Sequence, residues 1–109
     1  MSGGISFSSE KSWIVATWAY CFTIEHIGNH VSKDSFPKLY SLVTDDEDPL
    51  NFIFLEKMTV DERREFYSAM KLAYDDIIKE NGETFVSREY YENYLVLLKE
   101  LMEMIPDDD

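Results

Sequence analysis

The chain is poor in cysteine, glycine, proline and bases, and each shortage excludes something. One cysteine, Cys21, in 109 residues cannot close an intramolecular disulfide, which removes the covalent staples on which small secreted folds rely. Cys21 sits inside an apolar run, where a small buried thiol is the expectation, and such cysteine usage points to a reducing compartment, the cytoplasm. That run, Trp13 to Ile24, is the candidate for a membrane or targeting segment, yet it falls well short of the ~20 residues that span a bilayer. A signal-peptide or lipoprotein reading fails on Tyr20, a bulky ring in Ala19-Tyr20-Cys21 where a small residue is required. Four glycines and three prolines build no phosphate-cradling loop, and no internal repeat or low-complexity linker is present. Ten Lys and Arg stand against 22 Asp and Glu, a net charge of −12 at pH 7. A surface this negative repels phosphates and anionic lipid heads, so direct binding of nucleic acid or of a membrane surface is disfavoured.

What is present is apolar and aromatic. Seven Phe, seven Tyr and two Trp in a 45% hydrophobic chain supply a core, so residues 1–109 are read as one folded helical domain rather than an acidic tail. The Gly/Ser-rich lead 1–8 and residues 106–109 are read as its flexible ends. In residues 13–24 the β-branched and aromatic side chains favour strand. Length favours a helix from Glu10 to Ile27, capped by Ser9, with Trp13, Ala16, Tyr20, Ile24 and Ile27 on one face and Gly28-Asn29 at its end. A buried two-stranded start is the alternative.

Pro37 behind Asp34 and Ser35 predicts a short helix to Val43. Leu50 to Leu55 reads equally as a strand or a turn or two of helix. Thr59 with Glu62 is a capping box, and Phe66, Met70, Ala73 and Ile77 form the stripe of a helix that Asn81-Gly82 closes. A last helix begins near Ser87, turns Tyr91, Tyr94, Leu98, Leu101 and Ile105 inward, and stops at Pro106. These elements predict an all-α fold, a small irregular bundle of about four to five helices.

The charge is unevenly placed. Residues 1–43 carry three bases and three acids, whereas residues 44–109 carry the other seven bases and nineteen acids. The clusters are Asp45, Asp46, Glu47 and Asp48; Asp75 and Asp76; and Glu89 and Glu92 around Tyr90 and Tyr91. A net charge beyond the ~2 to 8 that keeps a small domain soluble burdens the fold with self-repulsion, which points to a use for the acidic part. With Tyr91 turned into the core, Tyr90 stands about 100° away, toward the helix boundary beside Glu89 and Glu92. A carboxylate rim around an exposed aromatic complements a partner rich in Lys and Arg. Asp45, Asp46, Glu47, Asp48, Asp75, Asp76, Glu89, Tyr90 and Glu92 are therefore the candidate partner-binding residues.

Catalytic and metal chemistry lack their signatures. His26 and His30 are four apart, but Gly28-Asn29 interrupts the helix between them and the HExxH order is missing. The run 45–48 lacks the alternating frame of an EF-hand loop, there are no paired Glu-x-x-His motifs, and Cys21 has no basic neighbours to activate it. No metal, no cofactor and no enzymatic activity are expected.

In size, charge and composition over its whole length, the chain resembles the immunity proteins that bacteria carry against their own nuclease toxins, those of contact-dependent inhibition systems and colicins. The Tyr90-Tyr91 pair near Glu89 and Glu92 is similar to a Tyr pair of the acidic helical colicin-nuclease immunity family. That pair is followed by Pro on a short helix, whereas Glu92 follows here within a long one, so no residue roles are carried over. The resemblance implies one-to-one binding of a basic toxin domain, a nuclease by class, whose active site is occluded. An acidic mimic of nucleic acid, or anti-defence inhibitor, is the alternative; Val96 interrupts the acidic row of the last helix, and Arg88 and Lys99 flank it.

Overall fold

The segment from Trp13 to Ile24 divides between two kinds of structure. In the computed structural model, which describes residues 2–44 and 52–106, Lys11–Ala16 is a strand (β2) and Thr17–Gly28 a helix (α1). In β2 the side chains alternate: Trp13 and Val15 are buried and Ile14 points out, the period of two that a one-sided sheet imposes. From Ala19 the period changes, and Ala19, Tyr20, Thr23, Ile24 and Ile27 form the buried stripe of α1.

The partner of β2 is the lead that composition marks as frayed. Ser2–Ser8 forms β1, antiparallel to β2 from Ser2↔Ala16 to Ile5↔Trp13, with an irregularity between Ser6 and Ser8. A third strand, β3 (Phe52–Phe54), lies parallel to β1 on its other side, so the order is β2-β1-β3 with the lead in the middle. Ile5 is completely buried there. Gly4 shows why small residues fill this strand: a Cβ built on it would stand 2.4 Å from the Trp13 carbonyl oxygen. Its composition reflects close strand packing.

The all-α expectation is thus overturned. The described residues have a mixed α/β fold in which a three-stranded sheet accompanies four helices: α1, α2 (Pro37–Thr44), α3 (Val60–Glu80) and α4 (Arg88–Glu103). One turn of 3-10 helix, Leu55–Lys57, follows β3, so the described part of the ambiguous apolar segment, 52–55, is strand and then turn. The helical grammar read for the second half holds. Thr59 Oγ1 accepts from the Glu62 N–H at 3.1 Å while the Thr59 N–H donates to Glu62 Oε1 at 3.0 Å, and Ser87 Oγ accepts from the Tyr90 N–H.

The core lies between the sheet and the helices. Ile5, Trp13 and Ile53 from the strands meet Phe66, Met70 and Ile77 of α3 and Tyr94, Leu98 and Leu101 of α4 in one buried cluster. The Trp13 indole N–H donates to the Leu97 carbonyl at 2.8 Å, pinning the hairpin to α4. Thr23 Oγ1 donates to the Ala19 carbonyl, so its single proton is used and the Tyr94 hydroxyl donates to Thr23 at 2.6 Å. No helix among the described residues is long and apolar enough to cross a membrane.

Candidate functional site

An aromatic cluster joins α1, the α3–α4 turn and α4. Asn81 and Gly82 close α3 in the left-handed region, with φ of 50° and 80°. At Gly82 a Cβ would also fall 2.8 Å from the Tyr91 ring, so this position needs glycine for both conformation and space. The tight turn swings Phe85 back over the helices, where its ring lies 5.1 Å from Phe22, 5.3 Å from Tyr91 and 5.5 Å from Tyr94, centroid to centroid. Phe22 meets Phe85 and Tyr94 edge to face, and Trp18 packs edge-on against Phe85 at 6.2 Å.

The outer side of this cluster is open. Trp18, Phe22, Thr84, Phe85, Val86 and Tyr90 line a groove of about 400 Å³. Trp18 is 49% exposed, Tyr90 56% and Val86 94%. Exposed aromatic side chains gathered in one place are a feature of protein interaction sites. Two consequences follow for α1, and the second corrects the expectation of a buried Cys21. With the hairpin taking Trp13 to Ala16 out of the helix, α1 is packed on one side only, so Trp18 faces outward. Cys21, three residues on, is exposed instead of buried.

The acidic candidates fall into different environments. Tyr90 stands on the groove, where Glu89 precedes it, exposed and without an ion-pair partner among the described residues. Glu92 is engaged by Arg88 Nε at 3.7 Å. Arg88 is further tied down by two 3.0 Å bonds donated to Asn81 and by its guanidinium lying 5.0 Å over the Tyr91 ring. Asp75 is exposed, whereas Asp76 on α3 pairs with His30. One turn along, His26 Nε2 meets Glu80 Oε1 at 3.3 Å, and its Nδ1 lies 2.9 Å from the Phe22 carbonyl. His26 on α1 and His30 just past its end are thus spent as links to α3, and no group of three or more His, Cys, Asp or Glu among the described residues is placed to hold a metal ion. The acidic run Asp45, Asp46, Glu47 and Asp48 lies outside the described residues.

Trp18, Phe22, Phe85 and Val86 were not among the candidates read from the sequence. Their signal is weak in one dimension, because an outward Trp in an apolar run looks like core until the packing of the run is known.

No family model matches the chain, and no curated protein matches it at a significant level. Among solved structures, a chain of the complex of the CdiA-CT toxin from Burkholderia pseudomallei E479 with its cognate CdiI immunity protein is similar, with a TM-score of 0.67 at 20% identity. The match covers 97% of this chain and 95% of that one, so the likeness extends through the sheet and all the helices. At this identity it establishes a shared fold, and the chain resembles a component of a toxin–immunity complex at that level.

Proposed function

We propose that the chain is an immunity protein that binds one basic toxin domain, of nuclease type, and neutralises it in the cytoplasm by covering its active site. The observation that carries this reading is the exposed aromatic groove formed where Thr84, Phe85, Val86 and Tyr90 of the acidic part meet Trp18 and Phe22. Its rings supply the anchors of a protein interface, while the exposed Glu83 and Glu89, chain neighbours of the groove residues Thr84 and Tyr90, select a cationic partner and speed its approach. The shared fold adds support from outside the chain: its counterpart comes from a complex of a toxin with its immunity protein. Charge distinguishes the two roles. A domain that grips nucleic acid needs bases to neutralise phosphates, whereas a chain of net charge −12 suits the inhibitor. The role is binding rather than catalysis. Close imitation of nucleic acid fits less well, because Arg88 neutralises Glu92 and the exposed Val96 breaks the row between Glu89 and Glu103.

Co-expression with a basic toxin domain encoded next to this chain tests the reading. Growth should be restored, the two proteins should elute as a one-to-one complex, and the association rate should fall about tenfold or more between low and high salt. An absence of rescue, or a rate indifferent to salt, would count against it. Glu89→Lys combined with Tyr90→Ala should weaken the complex while the free protein stays folded, since both positions are exposed.

A further inference from the structure

We infer that the aromatic groove seats a guanidinium group, an arginine side chain of the basic partner, an inference that rests on the proposed binding role of this face. The lining is suited to a planar cation. Four of its six residues, Trp18, Phe22, Phe85 and Tyr90, are aromatic, and none is charged. The faces of such rings carry negative potential and attract Arg or Lys, with Trp the strongest partner. The rings are also held in place: Phe22 and Phe85 pack edge to face at 5.1 Å, and Phe22 and Tyr94 at 5.2 Å. A cation entering the groove therefore meets a preformed wall.

The chain itself shows the preference. Lys11 lies over Phe7, Lys33 over Tyr40, Lys57 over Phe54 and Arg88 over Tyr91, at 5.0 to 5.8 Å from the ring centroids. Trp18 and Tyr90 carry no cation among the described residues, although they are among the most open rings of the molecule.

Local charge points the same way. Between residues 83 and 92, Glu83, Glu89 and Glu92 face one base, Arg88, which is already engaged by Glu92, Asn81 and Tyr91. Glu83 and Glu89 have no ion-pair partner among the described residues. A purely apolar occupant would draw these carboxylates toward a dry interface without compensation. An arginine compensates them, and its methylene stem can lie along Val86. Its planar head stacks on an aromatic face, which the compact ammonium of lysine does not.

The test uses the intact chain and three probes: the N-acetyl, N-methylamide derivatives of arginine, of citrulline and of leucine. Citrulline keeps the shape of arginine and removes the charge. The readout is the pair of indole N–H signals in an NMR titration. Trp18 reports the groove, and Trp13, 2% exposed with its N–H bonded to Leu97, is the internal control. The arginine probe should move the Trp18 signal saturably, about fivefold or more tightly than either neutral probe, and leave Trp13 still. Tyr90→Ala should weaken that binding. Equal binding of arginine and citrulline, tighter binding of leucine, or no saturable shift would overturn the guanidinium seat. No toxin is present in this titration, so failure here is separate from failure of the growth rescue, which judges the binding role itself.

Discussion

Tyr94 is buried against Thr23, and the two hydroxyls form a chain that ends on the Ala19 carbonyl. Burial pushes the Tyr94 phenol well above the ordinary value near 10. The sign of the pH effect follows. In the unfolded chain the phenol loses its proton near pH 10, whereas in the folded protein it keeps it, so this contribution to stability is complete below pH 10 and is lost as pH rises above it. Tyr94→Phe should cost about 1 kcal/mol at pH 7, where one hydrogen bond is lost and Thr23 retains its acceptor. Urea midpoints at pH 8 and pH 11 check the linkage: the original chain should lose more stability over that interval than Tyr94→Phe does. Equal losses would show that Tyr94 ionises in the fold as readily as outside it. The sequence marks Tyr94 as an inward residue by its spacing from Tyr91 and Leu98. It does not reveal the Thr23 partner, which is 71 residues away.

At the scale of elements, the helices of the second half were legible, whereas strands appeared only as alternatives, for the start of the chain and for Leu50 to Leu55. The α3 capping box, the Asn81-Gly82 stop and the Ser87 cap join residues within a few positions of one another, so a reader of the sequence sees the whole interaction. A sheet gives no such local record. Strand β1 pairs with β3 across almost half the chain, and its glycines and serines resemble a loose end until Trp13 and Phe52 are found beside Gly4. This difference makes a sharp prediction. Deleting residues 1–8 would be nearly silent for a flexible lead, but here it removes the middle strand of the sheet and the buried Ile5. The shortened chain should lose its cooperative thermal transition, or melt at least about 10 °C lower, as circular dichroism would show; two lost kcal/mol already shift a domain of this size by roughly that amount. An unchanged melting curve would contradict the central placement of β1.

The whole molecule measures 38 × 31 × 31 Å and carries a net charge of −12 with histidine neutral, and among the described residues one Arg–Glu ion pair, Arg88–Glu92, is formed beside two His–carboxylate contacts. At about 0.01 M ionic strength the screening length is ~30 Å and repulsion reaches across the molecule; at 1 M it is ~3 Å. Raising sodium chloride over that range should therefore raise Tm by about 4 °C or more, equivalent to roughly 1 kcal/mol. A Tm that does not move would mean that the acidic groups are balanced locally. The amount of charge, its confinement to residues 44–109, the caps of α3 and α4 and the inward faces of those helices were all determined by the sequence, because each depends on composition or on neighbours along the chain. Only the tertiary structure decided that Ser2–Ser8 is the central strand, that Trp18 and Cys21 face outward, and that Asp76 and Glu80 serve as partners of His30 and His26. It also brought Trp18 and Phe22 of the neutral part beside Phe85, Val86 and Tyr90 of the acidic part. The physical reason is the same in each case: these outcomes depend on which distant segments meet, and a side chain is core or surface only once the element opposite it is in place.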